Sequence, residues 1–278
     1  MTQPLPEVGL VLPVYNGEPF IADSIRTVLA TFDEHGIPIE LVIPTDGCTD
    51  GTADAARSVD DPRVRVLEFT ENRGKGAVVT EGLLVANGRW IGWLDADLDI
   101  HPETIVRMVG MLRQGDIDIV VGSKRHPDSV VSYPLIRRVY SAGYQALVRV
   151  LARVSARDTQ VGAKLMRREV AEVTAPLLLV KRYAFDLEVL AVAAQFGFDR
   201  VEEAPITLEY RFSGTGIDRR AIWLMMLDTL AISYRLHIRH WYTRQFAALH
   251  RRRVEESSTA VLATDVLVAP ISDAGQAS

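Results

Sequence analysis

Residues 90–121 read WIGWLDADLDIHPETIVRMVGMLRQGDIDIVV, and this stretch determines the expected fold. The apolar run Trp90–Leu94 is as short as a buried strand, and residues 102–113 carry apolar side chains at helical spacing. A second short apolar run, 117–121, follows the helix. A strand, one helix and a second strand in this order predict a βαβ unit, in which the two strands are parallel and the helix covers the sheet.

The same alternation extends on both sides of this unit. Short apolar runs predict strands over 8–14, 39–43 and 64–69, and helical spacing predicts helices over 19–32, 52–59 and 74–86. Another helix is predicted over 184–195 and another strand over 206–210. The alternation predicts an α/β fold with a mostly parallel, Rossmann-like sheet flanked by helices. Ligands of such sheets bind beyond the carboxyl ends of the strands, so the loops after the strands should hold the site.

Two longer stretches are predicted to form amphipathic helices rich in arginine. Residues 134–154 gather Arg138, Arg149 and Arg153 on one face, and residues 213–250 surround an apolar centre with arginines. Amphipathic helices of this kind either lie in a membrane interface or pack against the domain. No apolar run reaches the roughly 20 residues that a membrane-spanning helix needs. We therefore predict no transmembrane span.

These patterns divide the chain into three parts. A Rossmann-like domain is predicted over 1–212 and includes the amphipathic helix 134–154; amphipathic membrane-interface helices follow over 213–250, and a mobile tail over 251–278. The first residues, MTQPLPEVGLVLPVYNG, lack the basic leader and apolar run of a secretory signal, which predicts a cytoplasmic protein. The single cysteine, Cys48, excludes an internal disulfide framework and a cysteine-cluster metal site.

The formal net charge of −5 is unevenly distributed. Residues 124–168 contain 10 Lys or Arg against 2 acidic residues, and residues 211–253 contain 9 against 2, so the remainder of the chain is strongly acidic. The two basic segments favour a surface for an anionic partner such as phosphate or anionic lipid, with ordinary solvated helix faces as the alternative. The acidic total excludes a strongly basic nucleic-acid binder, so no nucleic acid partner is expected.

Three aspartates, Asp95, Asp97 and Asp99, follow the strand Trp90–Leu94 directly. Carboxylate oxygens suit Mg²⁺ or Mn²⁺, and Mg²⁺ is usually held by one or two carboxylates together with substrate phosphates. An EF-hand is a poor alternative, because Ile100 replaces its central glycine and Val106 its closing glutamate. The loop therefore predicts a metal site, with a solvated turn as the simpler interpretation.

Two further loops carry polar groups after predicted strands. Asp46, in TDGCTDGT, can accept hydrogen bonds from a nucleobase edge or, like Asp50, cap the following helix. The segment 72–76, NRGKG, places glycines and Lys75 near a helix start, a setting that favours phosphate. It is not a Walker A loop, because the GxxxxGK[ST] pattern is absent.

Six motifs together carry a resemblance to a known family. They are LPVYNGE, TDGCTDGT, ENRGKGAVVTEG, WLDADLDIHPE, VGSKRH and RDTQVGAKLMRRE, in this order. With them, residues 8–210 resemble the family 2 glycosyltransferases of the GT-A fold. Within that family the chain is similar to the polyprenyl-phosphate sugar synthases, which include the dolichyl-phosphate glucose and mannose synthases.

The resemblance implies two sets of binding residues. A nucleotide-sugar donor would contact Pro13, Tyr15, Glu18, Asp46, Lys75, Asp95 and Ala96, while Asp95, Asp97 and Asp99 would hold the metal, Mg²⁺ or Mn²⁺. The acceptor phosphate would be bound by Lys124, Arg137 and Ser141. Lys124 stands where an Arg is usual, which keeps the charge but loses the bidentate fork. Asp99 stands where the family often has Gln.

The resemblance also implies the catalytic residues Asp97, Asp158 and Arg137. Asp158 belongs to the DTQ segment of the glucose-type branch, and we expect it to hold Lys164 or the metal shell, with a general-base role as a second choice. A lipid phosphate is already anionic near pH 7, so its attack on the sugar requires no dedicated base.

The expected activity is the inverting transfer of a hexose from a nucleotide sugar to a polyprenyl or dolichyl phosphate at the cytoplasmic membrane face. UDP-glucose is favoured as donor and GDP-mannose comes next, because of the DTQ and NRGKG segments. The expected partners are the donor, the lipid phosphate and the membrane surface, and a homo-oligomer is possible. The alternatives are a soluble family 2 enzyme with a hydroxyl acceptor, in which Asp158 would be an essential base, and a catalytically silent nucleotide-binding scaffold.

Overall fold

A computed structural model describes residues 5–130, 158–182, 184–208 and 219–252. The strands of its sheet are β1 Val8–Val11, β2 Ile39–Asp46, β3 Val64–Phe69, β4 Trp90–Leu94, β5 Ile119–Ser123, β6 Ala163–Arg167 and β7 Val201–Pro205. The α-helices are α1 Ile21–Glu34, α2 Thr52–Arg57, α3 Lys75–Val85, α4 Glu103–Gln114, α5 Arg168–Thr174, α6 Phe185–Gln195, α7 Arg219–Ser233 and α8 over 241–252. A 3₁₀ turn spans Ala175–Leu177 and a π-helical turn spans Tyr234–Ile238.

The sheet has the strand order β3-β2-β1-β4-β6-β5-β7. Every neighbouring pair is parallel except those of β6, which runs antiparallel to both β4 and β5. The prediction of an α/β fold with a mostly parallel sheet is therefore confirmed. The sequence patterns did not predict β6, because its short run AKLMR contains a lysine.

Helices cover both faces of the sheet. On one face, α1 buries Ile21, Ile25, Val28 and Phe32 completely, at the spacing of one helical stripe, and α4 packs beside it. Burying each of these side chains contributes about 1.5–3 kcal/mol. On the other face lie α3, α5, α6 and the buried sides of α7 and α8, with the Trp93 and Phe185 rings 5.2 Å apart at the centre. The sheet is thus held between two apolar layers.

The final strand differs from its predicted position. Thr207 and Leu208 form isolated bridges, and the strand itself is β7, five residues earlier than the predicted 206–210, of which residues 209 and 210 lie outside the described parts of the chain. The sequence interpretation passed over Val201–Pro205 because it contains two glutamates. β7 lies at the edge of the sheet, where charged side chains are common because one side of the strand faces solvent.

The amphipathic helical stretch predicted over 213–250 is interrupted within its described part. The π-helical turn follows α7, and His240 adopts a positive φ of 47° before α8 begins. Residues 251 and 252, predicted to start the tail, still belong to α8. The predicted helix 134–154, the residues Arg137 and Ser141, and the remainder of the tail, 253–278, lie outside the described residues.

The helix α7 has two apolar sides. Thr229 and Ile232 are buried against the core, whereas the opposite side exposes a stripe that we call the α7 stripe, consisting of Trp223, Leu227 and Leu230 of α7 and Tyr234 at the start of the π-helical turn. These four residues fall within about 60° on a helical wheel of 3.6 residues per turn. None of the helices in the described parts of the chain combines the length and hydropathy needed to cross a bilayer.

Candidate active site

A cavity of about 530 Å³ opens beyond the carboxyl ends of the parallel strands. Four of the predicted donor-binding residues line it, namely Pro13, Tyr15, Asp46 and Lys75. They follow β1, end β2 and begin α3, so the rule that ligands gather at this edge of the sheet agrees with the structure. The volume is in the usual range for a small-molecule site.

Asp46 fixes the loop before α3. Its carboxylate is almost completely buried and accepts hydrogen bonds from the backbone amides of Arg73, at 2.6 Å, and Gly74, at 3.0 Å. A carboxylate has about four acceptor positions, so two remain for a ligand in the cavity. Asp46 therefore has a structural task that the sequence did not indicate, beside its predicted contact with a nucleobase.

Glu18 lies outside the group of residues that line the cavity. Its Oε2 accepts a hydrogen bond from the Gly51 amide at 2.9 Å, and its own amide donates to Asp50. The Asp50 carboxylate also accepts from the Thr52 amide in the first turn of α2, as expected for a capping aspartate. Glu18 thereby joins the loops that follow β1 and β2.

Close packing requires glycine at both glycine positions of NRGKG. A Cβ atom on Gly74 would lie 2.5 Å from the Lys181 carbonyl oxygen, and one on Gly76 would lie 2.5 Å from the Val180 carbonyl oxygen. Gly74 also has a φ of 90°, which favours glycine. The segment 178–182, which we call the wall loop, can therefore lie directly against the start of α3. Lys75, between the two glycines, forms an ion pair with Asp95.

The acidic loop after β4 concentrates negative charge. Burial raises the pKa of Asp97 above its ordinary value, and the nearby carboxylates of Asp95 and Asp99 raise it further. The Asp97 Oδ1 accepts a hydrogen bond from the Asp99 amide at 3.2 Å, and Ala96 is buried. Among the described residues, no three His, Cys, Asp or Glu side chains are arranged as a ready-made metal cluster. The predicted metal ligands Asp95, Asp97 and Asp99 are neighbours in this loop, close enough for the charges of Asp95 and Asp99 to act on Asp97.

A buried ion pair, absent from the sequence prediction, lies beside this loop. Lys164, in β6, is completely buried; its ammonium group donates to the Asp186 carboxylate and to the Val161 carbonyl, and lies 5.1 Å from the centre of the Trp93 ring. Burial lowers the pKa of Lys164, and the charge of Asp186 opposes that shift. Asp186 lines the cavity. An acidic residue within the apolar run of α6 was the available signal.

The pKa of Lys75 shifts in the opposite direction from that of Lys164. Burial acts to lower the pKa of Lys75, but the carboxylates of Asp95, Asp186 and Asp97 outweigh it, so the pKa of this ammonium is raised. A cation is therefore retained in the cavity wall between the acidic loop and α6. Such a group can bind an anionic ligand without a proton being supplied.

The Asp158 carboxylate lies near enough to act on the charge of Lys164 but is not its hydrogen-bond partner. The nearly buried carboxylate accepts a hydrogen bond from the Lys124 backbone amide at 3.1 Å, whereas Lys164, which we expected it to hold, pairs with Asp186. Asp158 thereby joins the end of β5 to the segment before β6. The next residue but one, Gln160, lines the cavity and donates a hydrogen bond to the sulfur of Met225 in α7.

Comparison with known proteins identifies the family. Residues 10–174 match the family model described as Glycosyl transferase family 2. The chain belongs to glycosyl transferase family 2. The predicted resemblance is therefore confirmed, and with it the GT-A class of the α/β fold.

Two curated relatives have similar sequence identities to this chain. Glycosyltransferase AglD of Haloferax volcanii is 31% identical over 208 residues, which are 73% of this chain and 33% of AglD. The dolichyl-phosphate beta-glucosyltransferase of Drosophila melanogaster is 33% identical over 67% of this chain and 62% of that protein. The chain thus spans about a third of the first relative and less than two thirds of the second.

Solved structures share the fold. Glucosyl-3-phosphoglycerate synthase from Mycobacterium tuberculosis, in complex with Mn²⁺, UDP and glucosyl-3-phosphoglycerate, has a TM-score of 0.61 and 19% identity, covering 82% of this chain and 79% of that one. The same enzyme with Mn²⁺, UDP-glucose and phosphoglyceric acid also has a TM-score of 0.61, with 18% identity and the same coverage.

Proposed function

We propose that the protein transfers a hexose, with inversion, from a nucleotide sugar to a polyprenyl or dolichyl phosphate. UDP-glucose is the favoured donor and GDP-mannose the next. The observation that carries the proposal is the cavity at the carboxyl edge of the sheet, which is lined by Asp46, Lys75 and Asp186 and adjoins the acidic loop. Relatives named dolichyl-phosphate beta-glucosyltransferase support the acceptor class, and the wall of mixed charge supports a donor that carries a diphosphate.

The acidic loop has the chemistry of a site for Mg²⁺ or Mn²⁺. Its donors are carboxylate oxygens, which both ions prefer, and its negative charges lie close enough to raise the pKa of Asp97. Asp95 and Asp97 would hold the ion together with the donor diphosphate, with Asp99 as a further carboxylate beside them. The bound ion would neutralise the charge that develops on the leaving nucleoside diphosphate.

The remaining groups would orient the two substrates. Lys75 remains cationic and would bind the diphosphate, with Arg182 on the same cavity wall. Lys124, Arg137 and Ser141 would bind the acceptor phosphate, which is mostly dianionic at neutral pH and needs no general base. Asp158, the base that a hydroxyl acceptor would require, instead accepts a hydrogen bond from a backbone amide and is not among the cavity-lining residues. Its position outside the cavity lining favours the phosphate acceptor.

The α7 stripe supports a peripheral location on a membrane, and we propose its cytoplasmic face. Its side chains are apolar or aromatic and exposed, and Trp and Tyr are favoured in the interfacial region of a bilayer. Met225, on the inner side of the same helix, lines the cavity. A membrane bound to the stripe would therefore lie about one helix diameter, roughly 10 Å, from the cavity wall.

The proposed activity predicts glycolipid formation from purified components. We expect the protein, with Mg²⁺ or Mn²⁺, to transfer radiolabelled glucose from UDP-glucose to polyprenyl phosphate, and to use GDP-mannose less well. Product extraction into organic solvent and release of the sugar by mild acid measure the transfer. No glycolipid with either donor would refute the proposal, and transfer to a hydroxyl acceptor instead would favour the alternative.

The α7 stripe predicts binding to lipid vesicles. We expect the double variant Trp223→Ser/Leu230→Ser to lose about tenfold or more in binding to anionic vesicles, because burial of each large apolar side chain is worth about 1.5–3 kcal/mol. Flotation through a density gradient measures it. Leu84→Ser, at an equally exposed leucine of α3, is the matched control and should bind like the unmodified protein. Equal loss in both variants would contradict the assignment.

A further inference from the structure

The carboxylate of Glu188, in α6, joins three separate segments of the chain. Its side chain is completely buried. One oxygen, Oε2, accepts hydrogen bonds from the amides of Leu179 and Val180, at 2.8 and 2.7 Å. The other, Oε1, accepts from the Tyr242 hydroxyl at 2.6 Å and from the Arg235 guanidinium at 3.1 Å. Every acceptor direction of a buried carboxylate is thus used, as its burial requires.

The first oxygen holds the wall loop. The next carbonyl groups of that loop, those of Val180 and Lys181, lie against the two glycines at the start of α3, and the Ala77 amide donates to the Lys181 carbonyl. Arg182, at the end of the loop, lines the cavity. The position of this cavity wall therefore depends on the two amide bonds to Glu188.

The second oxygen holds the C-terminal helices. Tyr242 belongs to α8 and is buried, and Arg235 belongs to the π-helical turn after α7. Met225 of α7 also lines the cavity. If the carboxylate loses one of these partners, its buried charge is no longer fully compensated. The wall loop and the C-terminal helices are therefore energetically coupled through Glu188.

We propose that Glu188 is a positioning residue of the donor cavity, which fixes the wall loop to α3 and ties the C-terminal helices to the same wall. This inference builds on the proposed function, because the cavity it concerns is the one assigned to the nucleotide sugar. Glu188 does not line the cavity and would act only through the residues that do.

The change Glu188→Gln tests the inference with little change in volume. The amide oxygen can still accept from the wall loop, but the amide nitrogen then faces the Arg235 guanidinium, a donor against a donor. We expect the Kd for UDP and the KM for the donor to rise about tenfold, with kcat lowered less than threefold, because the wall acts on donor binding rather than on the chemical step. Calorimetry with UDP and initial rates with polyprenyl phosphate measure these values.

Matched variants separate positioning from general stability. Asp118 is another buried carboxylate and pairs with Arg200 before the start of β5, away from the cavity at the carboxyl ends of the strands. Asp118→Asn should therefore lower the unfolding temperature and leave the donor KM unchanged. Tyr242→Phe should shift the KM in the same direction as Glu188→Gln, by a smaller factor, and provides the test if the glutamine variant does not fold.

The outcomes distinguish this inference from the proposed function. Unchanged UDP affinity in both the Glu188 and Tyr242 variants, or a fall in kcat alone, would overturn the positioning role while the proposed function stands. If the unmodified protein binds neither UDP nor GDP and makes no glycolipid, the proposed function fails and the inference fails with it.

Discussion

Asp97→Asn is expected to reduce glycolipid formation by about 10³-fold or more, since charge stabilisation by a bound metal is worth several kcal/mol of the barrier. Asparagine preserves the size of the side chain but removes the charge that would hold the ion. Initial rates over a series of Mg²⁺ and Mn²⁺ concentrations measure the effect. The loss should persist at saturating metal if Asp97 acts on the transition state as well as on metal affinity.

The matched control for Asp97 is an aspartate outside the site. Asp54, in α2, is highly exposed, and Asp54→Asn removes the same charge without touching the cavity. Its rate should match that of the unmodified protein. Retention of more than about a tenth of the activity in Asp97→Asn would contradict the assigned metal role, because a ligand lost from a catalytic metal costs more than that.

Lys164→Met is expected to have the largest effect on stability. The methionine fills most of the lysine volume, but the Asp186 charge is left buried without its partner, which costs about 3–5 kcal/mol. Chemical denaturation with fluorescence detection of the four tryptophans measures the free energy of unfolding. Trp93 makes the signal direct, because its ring lies against the Lys164 ammonium group.

A double variant shows whether the loss belongs to the pair. Lys164→Met/Asp186→Asn removes both charges, so it should regain more than half of the stability lost in the single variant. Additive losses in the double variant would mean that the two side chains are independent and would contradict the ion pair. Transfer activity should be low in the double variant even where stability is regained, because Asp186 lines the cavity.

The sequence predicted the features that depend on local patterns. Short apolar runs separated by helical spacing gave the parallel strands, and the rule for parallel sheets put the acidic loop, Asp46 and Lys75 at one edge. Pro13, Tyr15, Asp46 and Lys75, which the resemblance assigns to the donor, all line the cavity. These features follow from residues that are close in sequence or from the order of the strands.

The features that were missed depend on buried charged side chains whose partners lie far away in the sequence. Lys164 made the run 163–167 look unlike a strand, and only the pairing with Asp186, far along the chain, makes a buried lysine acceptable. Glu188 appeared as an ordinary helix residue, although its partners come from the wall loop and from α8. Patterns within a single segment cannot identify such residues, because the compensating group lies in another segment.

The antiparallel strand β6 also sets an order of assembly during synthesis. Strands β3, β2, β1 and β4 are consecutive neighbours in the sheet, so they can pair as each leaves the ribosome. β5 has no partner among them, since β6 lies between it and β4. The apolar strand Ile119–Ser123 must therefore remain unpaired until residues 163–167 have been made. Nascent chains that stop within this interval would expose an open sheet edge at β4 and a free apolar strand, the two ingredients of intermolecular strand pairing.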